Sequence, residues 1–341
     1  MKKYGIFAVL IILLAVSAYF YFNKKGTTLT EEYTEFSISD TASISKIVLT
    51  QKGGEPIELV KETPTKWILN DQYKARTDAV QLLLEAFYKF KVKSPVAKAA
   101  EENVIKQMTL SHKKVEVYLD GKSKPVKTYF IGENSKEREG CNMFLEIDGS
   151  KHKKPFIVEI PGFYGILSIR FFTEEYLWRD REVFDYAKNE IKEIKFTNYE
   201  NQNASFIVEN DNGDLKLKET GMGSIVEHAD TNIIADYLTR FKGIHFETIL
   251  PSVEETLKDS IVQNLKYFTI ELTDSKGKIT TFEAYRMPNY NGDVDEYTGK
   301  VLPYNVDKFY GILNKQDFVI AQYPTFDKVY KEINGFIMPH K

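Results

Sequence analysis

Tyr285, Tyr290, Tyr297 and Tyr304 crowd one stretch of the chain together with Arg286 and Asn289. Aromatic rings beside polar side chains can stack on sugars or anchor a protein interface. Ordinary packing in a chain with 21 tyrosines is the plain alternative. Of the two functional uses, a protein interface is favoured over carbohydrate. Arg179, Asp180 and Arg181 form a second cluster, since a guanidinium fork fits a carboxylate or phosphate bidentately. At a junction between two units the same residues serve equally as ion pairs.

The remaining candidates carry less. Asp293, Asp295 and Glu296 follow the Asn291-Gly292 turn and offer oxygen ligands of the kind hard cations take, but the twelve-residue calcium-loop spacing is missing. A solvated hairpin loop is expected there. His112, His152, His228, His245 and His340 never stand at the spacing that puts two imidazoles on one helix face. Cys141 has no histidine or aspartate beside it to activate a nucleophile. The basic run at 151–154 (KHKK) can touch anionic headgroups or lie in solvent. Nucleophile-elbow, phosphate-loop and dinucleotide fingerprints are missing. The expectation is therefore no catalytic residues, no cofactor and no metal. The candidate interface residues are Tyr285, Arg286, Tyr290, Tyr297, Tyr304, Arg179 and Arg181.

The elements that must position these residues recur in two halves. FYGIL stands at 163–167 and again at 309–313. A β-branched strand opens each half, at 44–50 and 191–197, and two short strands follow. Each half then has a helix with one apolar stripe: Val80, Leu83, Leu84 and Phe87, then Ile233, Ile234, Tyr237, Leu238 and Phe241. Asp78 and Asp230 are expected at the helix starts. Ser252 and Glu255 suggest a capping box for a second helix, while its first-half counterpart at 95–108 is more polar. Hairpins at 115–131 and 268–284 come next, then strands near 143–147, 156–160 and 299–302, leading into helices over the FYGIL segments. The expected class is α+β, two tandem units of antiparallel strands and helices spanning 41–185 and 186–341.

Residues 4–22, opening on Tyr4 and closing on Phe22, carry no charge, and at 1.5 Å per residue span about 28 Å, near the thickness of a hydrocarbon core. Lysine pairs flank the run, and four aromatics, Tyr19 to Phe22, end it. A transmembrane signal anchor over 1–25 and a linker over 26–40 are expected, which places the lipid bilayer among the partners and the body in the periplasm. A signal peptide cleaved near Ala18 is the alternative. A formal charge of −3, which leaves a mildly acidic body once the four lysines of residues 1–30 are set aside, argues against nucleic acid. One cysteine allows no internal disulfide.

The Ile44 to Leu49 strand with Trp67, the helix at 80–90, the hairpin ending in Ile131-Gly132 and the segment 178–184 (WRDREVF) together resemble the bacterial domain-of-unknown-function 4340 family. The resemblance covers about 40–185 well and weakens beyond. Ala284-Tyr285 replaces Ile131-Gly132 in the second half, which also lacks the Arg-Asp-Arg segment. The resemblance implies an anchored accessory protein of transport, secretion or gliding machinery in the bacterial envelope, and names no catalytic residue. The expected function is a non-enzymatic scaffold that binds another envelope protein. A glycan- or lipid-binding module is the alternative.

Overall fold

The computed structural model describes residues 35–135, 140–151, 154–221 and 223–337. The chain divides into two compact units, up to Arg179 and from Asp180 onward.

The first unit is built from β1 (Ile44–Gln51), β2 (Pro56–Lys61), β3 (Trp67–Leu69), β4 (Tyr73–Lys74), β5 (Lys91–Pro95), β6 (Lys113–Leu119), β7 (Lys127–Asn134), β8 (Cys141–Ile147), β9 (Ser150–Lys151) and β10 (Phe156–Glu159). Helix α1 (Thr77–Lys89) and helix α2 (Lys98–Leu110) interrupt them. The strands form one antiparallel sheet in the order β4-β3-β2-β1-β6-β7-β8-β10-β5, with β9 paired to β8. Alternation along β1, β6, β7 and β8 sends Ile47, Leu49, Val115, Val117, Tyr129, Met143 and Leu145 to one face, where Val80, Leu83 and Phe87 of α1 cover them. Phe87 stacks on Tyr129 at 5.4 Å, and the Tyr129 hydroxyl donates to the Phe36 carbonyl at 2.7 Å. On the opposite face Val104 and Met108 of α2 pack on Phe144.

The second unit contains β11 (Glu182–Phe184), β12 (Ile191–Asn198), β13 (Phe206–Asp211), β14 (Asp214–Glu219), β15 (Ile244–His245), β16 (Thr248–Ile249), β17 (Lys266–Asp274), β18 (Ile279–Tyr285), β19 (Lys308–Leu313) and β20 (Asp317–Gln322), with helices α3 (Thr231–Thr239) and α4 (Glu255–Asn264). Its main sheet runs β14-β13-β12-β17-β18-β19-β20-β16, and β11 pairs with β15 apart from it. This order repeats the connections of β3-β2-β1-β6-β7-β8-β10-β5, strand for strand. Ile234, Tyr237 and Leu238 of α3 are buried on one side of the unit, while Ile261 of α4 packs with Tyr285, Tyr310 and Phe318.

Several expectations need correction. The class is mostly antiparallel β rather than balanced α+β: 39% of the described residues are strand and 24% helix. Neither FYGIL segment is a helix. Residues 309–313 lie in β19, whereas 163–167 follow β10 as irregular chain leading into a 3-10 turn, Leu167–Arg170. Five residues are too few for periodicity to separate helix from strand. The two copies are also not equivalent, because β19 corresponds in sheet order to β8. Residues 299–302 supply only the isolated bridge Val294↔Val301. The Ser252 capping box does not form: α4 begins at Glu255, after an N-cap Glu254 that makes no side-chain cap bond. Asp230 and Asp78 stand at the helix starts as expected: Asp230 caps α3, accepting from the Asn232 N–H at 2.7 Å, and Asp78 lies in the first turn of α1, where it pairs with the Arg76 guanidinium.

The membrane-anchor expectation is also corrected. Among the described residues no helix is long and apolar enough to cross a membrane. The longest, α1 and α2, have 13 residues, which reach about 20 Å against a core of about 30 Å. Residues 4–22 and the alternative cleavage site near Ala18 lie outside the described residues. The described residues thus stand against a single-pass inner-membrane protein with a periplasmic body.

The inequivalence of the FYGIL copies has a direct test. A Cβ on Gly311 would stand 2.7 Å from Phe282 Cε2 and 3.1 Å from Val319 Cγ2, both in the packed core. A Cβ on Gly165 meets only the ring of its half-buried neighbour Phe163. Gly311→Ala is expected to cost about 2 kcal/mol through overpacking, and Gly165→Ala less than about 0.5 kcal/mol. Urea unfolding of the two variants checks this, and equal costs would contradict it.

Candidate functional site

The tyrosine-rich stretch occupies the end of β18 and the long connection to β19, and its residues have separate fates. Tyr285 lies inside, 1% exposed, because α4 covers that face of the sheet; its candidacy as a surface residue is corrected. Its hydroxyl donates to Glu283 Oε2 at 2.9 Å, and burial, then that carboxylate, push its pKa up. Glu283 also pairs with Lys266 at 3.3 Å.

Arg286 is held on several sides. Its Nε and Nη2 donate to the two carboxylate oxygens of Glu200 at 2.9 and 2.8 Å, and its Nη1 donates to the Tyr323 hydroxyl at 2.9 Å. The guanidinium carbon lies 3.5 Å from the Tyr267 ring centroid, with Tyr304 at 5.5 Å and Tyr323 at 5.8 Å. Planarity lets one guanidinium form both the fork and the stack. Three of its N–H donors are thus spent inside the unit, and Arg286 acts as an anchor at the root of the loop.

Beyond it the chain folds back on itself. The Asn289 side chain donates to the carbonyls of Asp293 and Leu302 at 2.8 and 2.9 Å and accepts from the Asp293 N–H at 3.0 Å. The Asp295 carboxylate accepts from the backbone N–H groups of Thr298 and Tyr297 and from the Thr298 hydroxyl, and these bonds lower its pKa. Bridges Pro288↔Tyr304 and Val294↔Val301 tie the two arms. The acids that sequence suggested for a cation therefore include one that serves as a turn cap. Among the described residues no group of three or more metal-ligating side chains converges.

The loop exposes apolar side chains among polar ones such as Asn291, Glu296, Lys300 and Asp307. Tyr297 is 96% exposed, Tyr290 and Val301 66% each, and Val294 and Val306 52% each. Tyr304 is half-buried beside Arg286. Tyr290 also approaches Tyr310, whose hydroxyl burial, with Tyr290 adding to it, pushes up to about 12. A set of exposed apolar side chains on a loop fixed by its own hydrogen bonds can bury area on a partner with little ordering cost.

The other candidates lie elsewhere. Arg179 closes the first unit, stacked over Tyr73 at 3.9 Å and bridged through its backbone to Ala75. Arg181 belongs to the second, where its carbonyl accepts from the Phe246 N–H. Neither joins the tyrosine loop. His112 Nδ1 lies 2.8 Å from the Met108 carbonyl, and His245 is on β15; His152 and His340 lie outside the described residues. The Glu200 and Tyr323 contributions were not visible in the sequence, since they stand 86 and 37 residues from Arg286.

Cys141 is buried, its thiol donating to the Gly132 carbonyl at 3.0 Å, and burial pushes its pKa up to about 12. Thiolate is the reactive form. The native chain is expected to resist a disulfide reagent at pH 8 and to react only after unfolding in urea. Labelling of the native protein at the rate of a free thiol would contradict this burial.

No family model matches the chain, and searches of curated proteins and of solved structures found no match.

Proposed function

We propose that the chain is a non-catalytic binding protein, a scaffold or accessory subunit that engages another protein through the β18–β19 connection. One observation supports this reading above the others: Tyr290, Val294, Tyr297 and Val301 stand exposed on a loop whose backbone is fixed by Asn289 and Asp295. Aromatic anchors in an otherwise neutral surround carry most of the affinity of many interfaces. The Arg286–Glu200 pair holds the loop to the sheet and does not itself reach a ligand.

Replacing Tyr290, Val294 and Tyr297 together by serine tests the reading. All three are more than half exposed, so the unfolding free energy is expected to stay within about 0.5 kcal/mol of the parent. Loss of two aromatic anchors is expected to weaken partner binding by at least about 2 kcal/mol, or roughly thirtyfold. In native gel or size-exclusion separation of gentle cell extracts, the parent chain should migrate in an assembly larger than its own 39.4 kDa. The triple variant should fall to the size of the free chain. Identical migration of parent and variant would oppose the reading.

A further inference from the structure

Asparagine followed by glycine occurs three times in the chain, at Asn212-Gly213, Asn291-Gly292 and Asn334-Gly335. All three pairs are exposed and lie in the second unit. Asparagine is a chemically labile residue. A glycine after it removes the side chain that would shield its carboxamide from the next backbone nitrogen. Sequence and exposure thus treat the three pairs alike, and the hydrogen bonding of the glycine nitrogen separates them.

Asn212 and Gly213 form the two-residue turn between β13 and β14, with φ of 50° and 100° and the Asp211↔Asp214 pair closing it. The Gly213 N–H donates to the Asn210 side-chain oxygen at 3.0 Å, and the Asn212 side chain donates to Asp211 Oδ1 at 3.1 Å. Asn334 and Gly335 lie in the 3-10 turn Ile333–Phe336, where the Gly335 N–H donates to the Glu332 carbonyl at 2.9 Å. Asn291 and Gly292 differ. Among the described residues, neither the Asn291 side chain nor the Gly292 N–H has a hydrogen-bond partner. The nearest clamp, from Asn289 to the Asp293 N–H, passes over Gly292. Asn289 itself spends its side-chain donors on two carbonyls and is followed by a tyrosine.

We propose that Asn291 is a site of spontaneous covalent modification, deamidating in the folded chain while Asn212 and Asn334 are preserved. The Gly292 nitrogen gives its proton to hydroxide and attacks Asn291 Cγ. The new N–Cγ bond forms, the Cγ–Nδ2 bond breaks and ammonia leaves, which closes a five-membered succinimide. Water then opens the ring at either carbonyl, giving aspartate or isoaspartate at position 291. At Gly213 and Gly335 the nitrogen must first surrender an existing hydrogen bond, and the surrounding turn must open to let the carboxamide approach. Either product sets a new carboxylate beside exposed Tyr290, in a loop that already contains Asp293, Asp295 and Glu296, and isoaspartate also lengthens the main chain by one methylene. The conversion does not depend on the loop's having a partner.

Incubating the full chain at pH 8 and 37 °C in water enriched in oxygen-18, followed by peptide mass spectrometry, tests this. The heavy oxygen marks only product formed during the incubation, and electron-transfer fragmentation separates aspartate from isoaspartate. In the native chain position 291 should convert at least about tenfold faster than 212 or 334. In urea the three rates should come within about threefold of one another, because the same Asn-Gly chemistry is then free of the fold. Conversion of 212 or 334 as fast as 291 in the native chain would overturn the assignment. So would an Asn291 that stays intact while the unfolded chain reacts, or a preference for 291 that persists unchanged in urea.

Discussion

Arg286→Met is expected to destabilise the second unit by about 3 kcal/mol, from the lost stack on Tyr267 and the Glu200 carboxylate and Tyr323 hydroxyl left without their donor. The figure stays below that for a fully buried pair because the Glu200 side chain is 43% exposed and water can take over part of its solvation. Although burial works against its charge, Glu200 and then the Tyr323 hydroxyl raise the Arg286 pKa above the ordinary value, so the guanidinium stays charged throughout the working range. Arg286→Lys should recover less than half of the loss, since one ammonium cannot form the two parallel bonds and the stack together. Urea denaturation followed by hydrogen-exchange mass spectrometry reads the second unit separately from the first. The same data should show faster exchange in 288–305 for the variant, because the loop loses its root. Destabilisation below about 1 kcal/mol, or an unaltered loop, would mean that Arg286 is not the anchor.

Phe87→Ala is expected to cost the first unit about 4 kcal/mol. The ring is fully buried, stacked on Tyr129 at 5.4 Å, edge-on to Phe90 at 6.0 Å and tilted against Phe171 at 6.4 Å. Truncation leaves a cavity between α1 and the sheet that three neighbouring rings are too rigid to close. Leu82 on the same helix is 46% exposed, and Leu82→Ala should stay within about 0.5 kcal/mol. A midpoint comparison of these two variants separates core burial from helix propensity, because both introduce alanine into α1. Equal losses would contradict the placement of Phe87 under the sheet.

The residues explain which features were legible in the sequence. Helix α1 could be read because Val80, Leu83 and Phe87 recur on one stripe and that stripe is the buried one. The order of short strands was similarly visible in the alternation of β1, β6, β12 and β17. The FYGIL repeat misled because five residues of mixed propensity take their conformation from surroundings: β18 and β20 pair with 309–313, and no strand pairs with 163–167. Tyr285 misled for a related reason, since only the packing of α4 on that sheet face decides whether it is inside. Polar neighbours did not separate exposed Tyr290 and Tyr297 from buried Tyr285, which stands beside Arg286. The Arg286 fork was not legible, because Glu200 and Tyr323 meet it only after the sheet has assembled.

The most direct test of the binding account is site-specific photo-crosslinking in intact cells from a benzophenone side chain placed at Tyr297, with the same group at Ile279 as a control. Ile279 is 59% exposed in the same unit but lies at the start of β18 instead of on the loop. One defined protein adduct from position 297, missing from position 279 and lost when Tyr290 is replaced by serine, is the result the account predicts. Adducts of the same pattern from both positions, or none from 297 while 279 captures a partner, would contradict it.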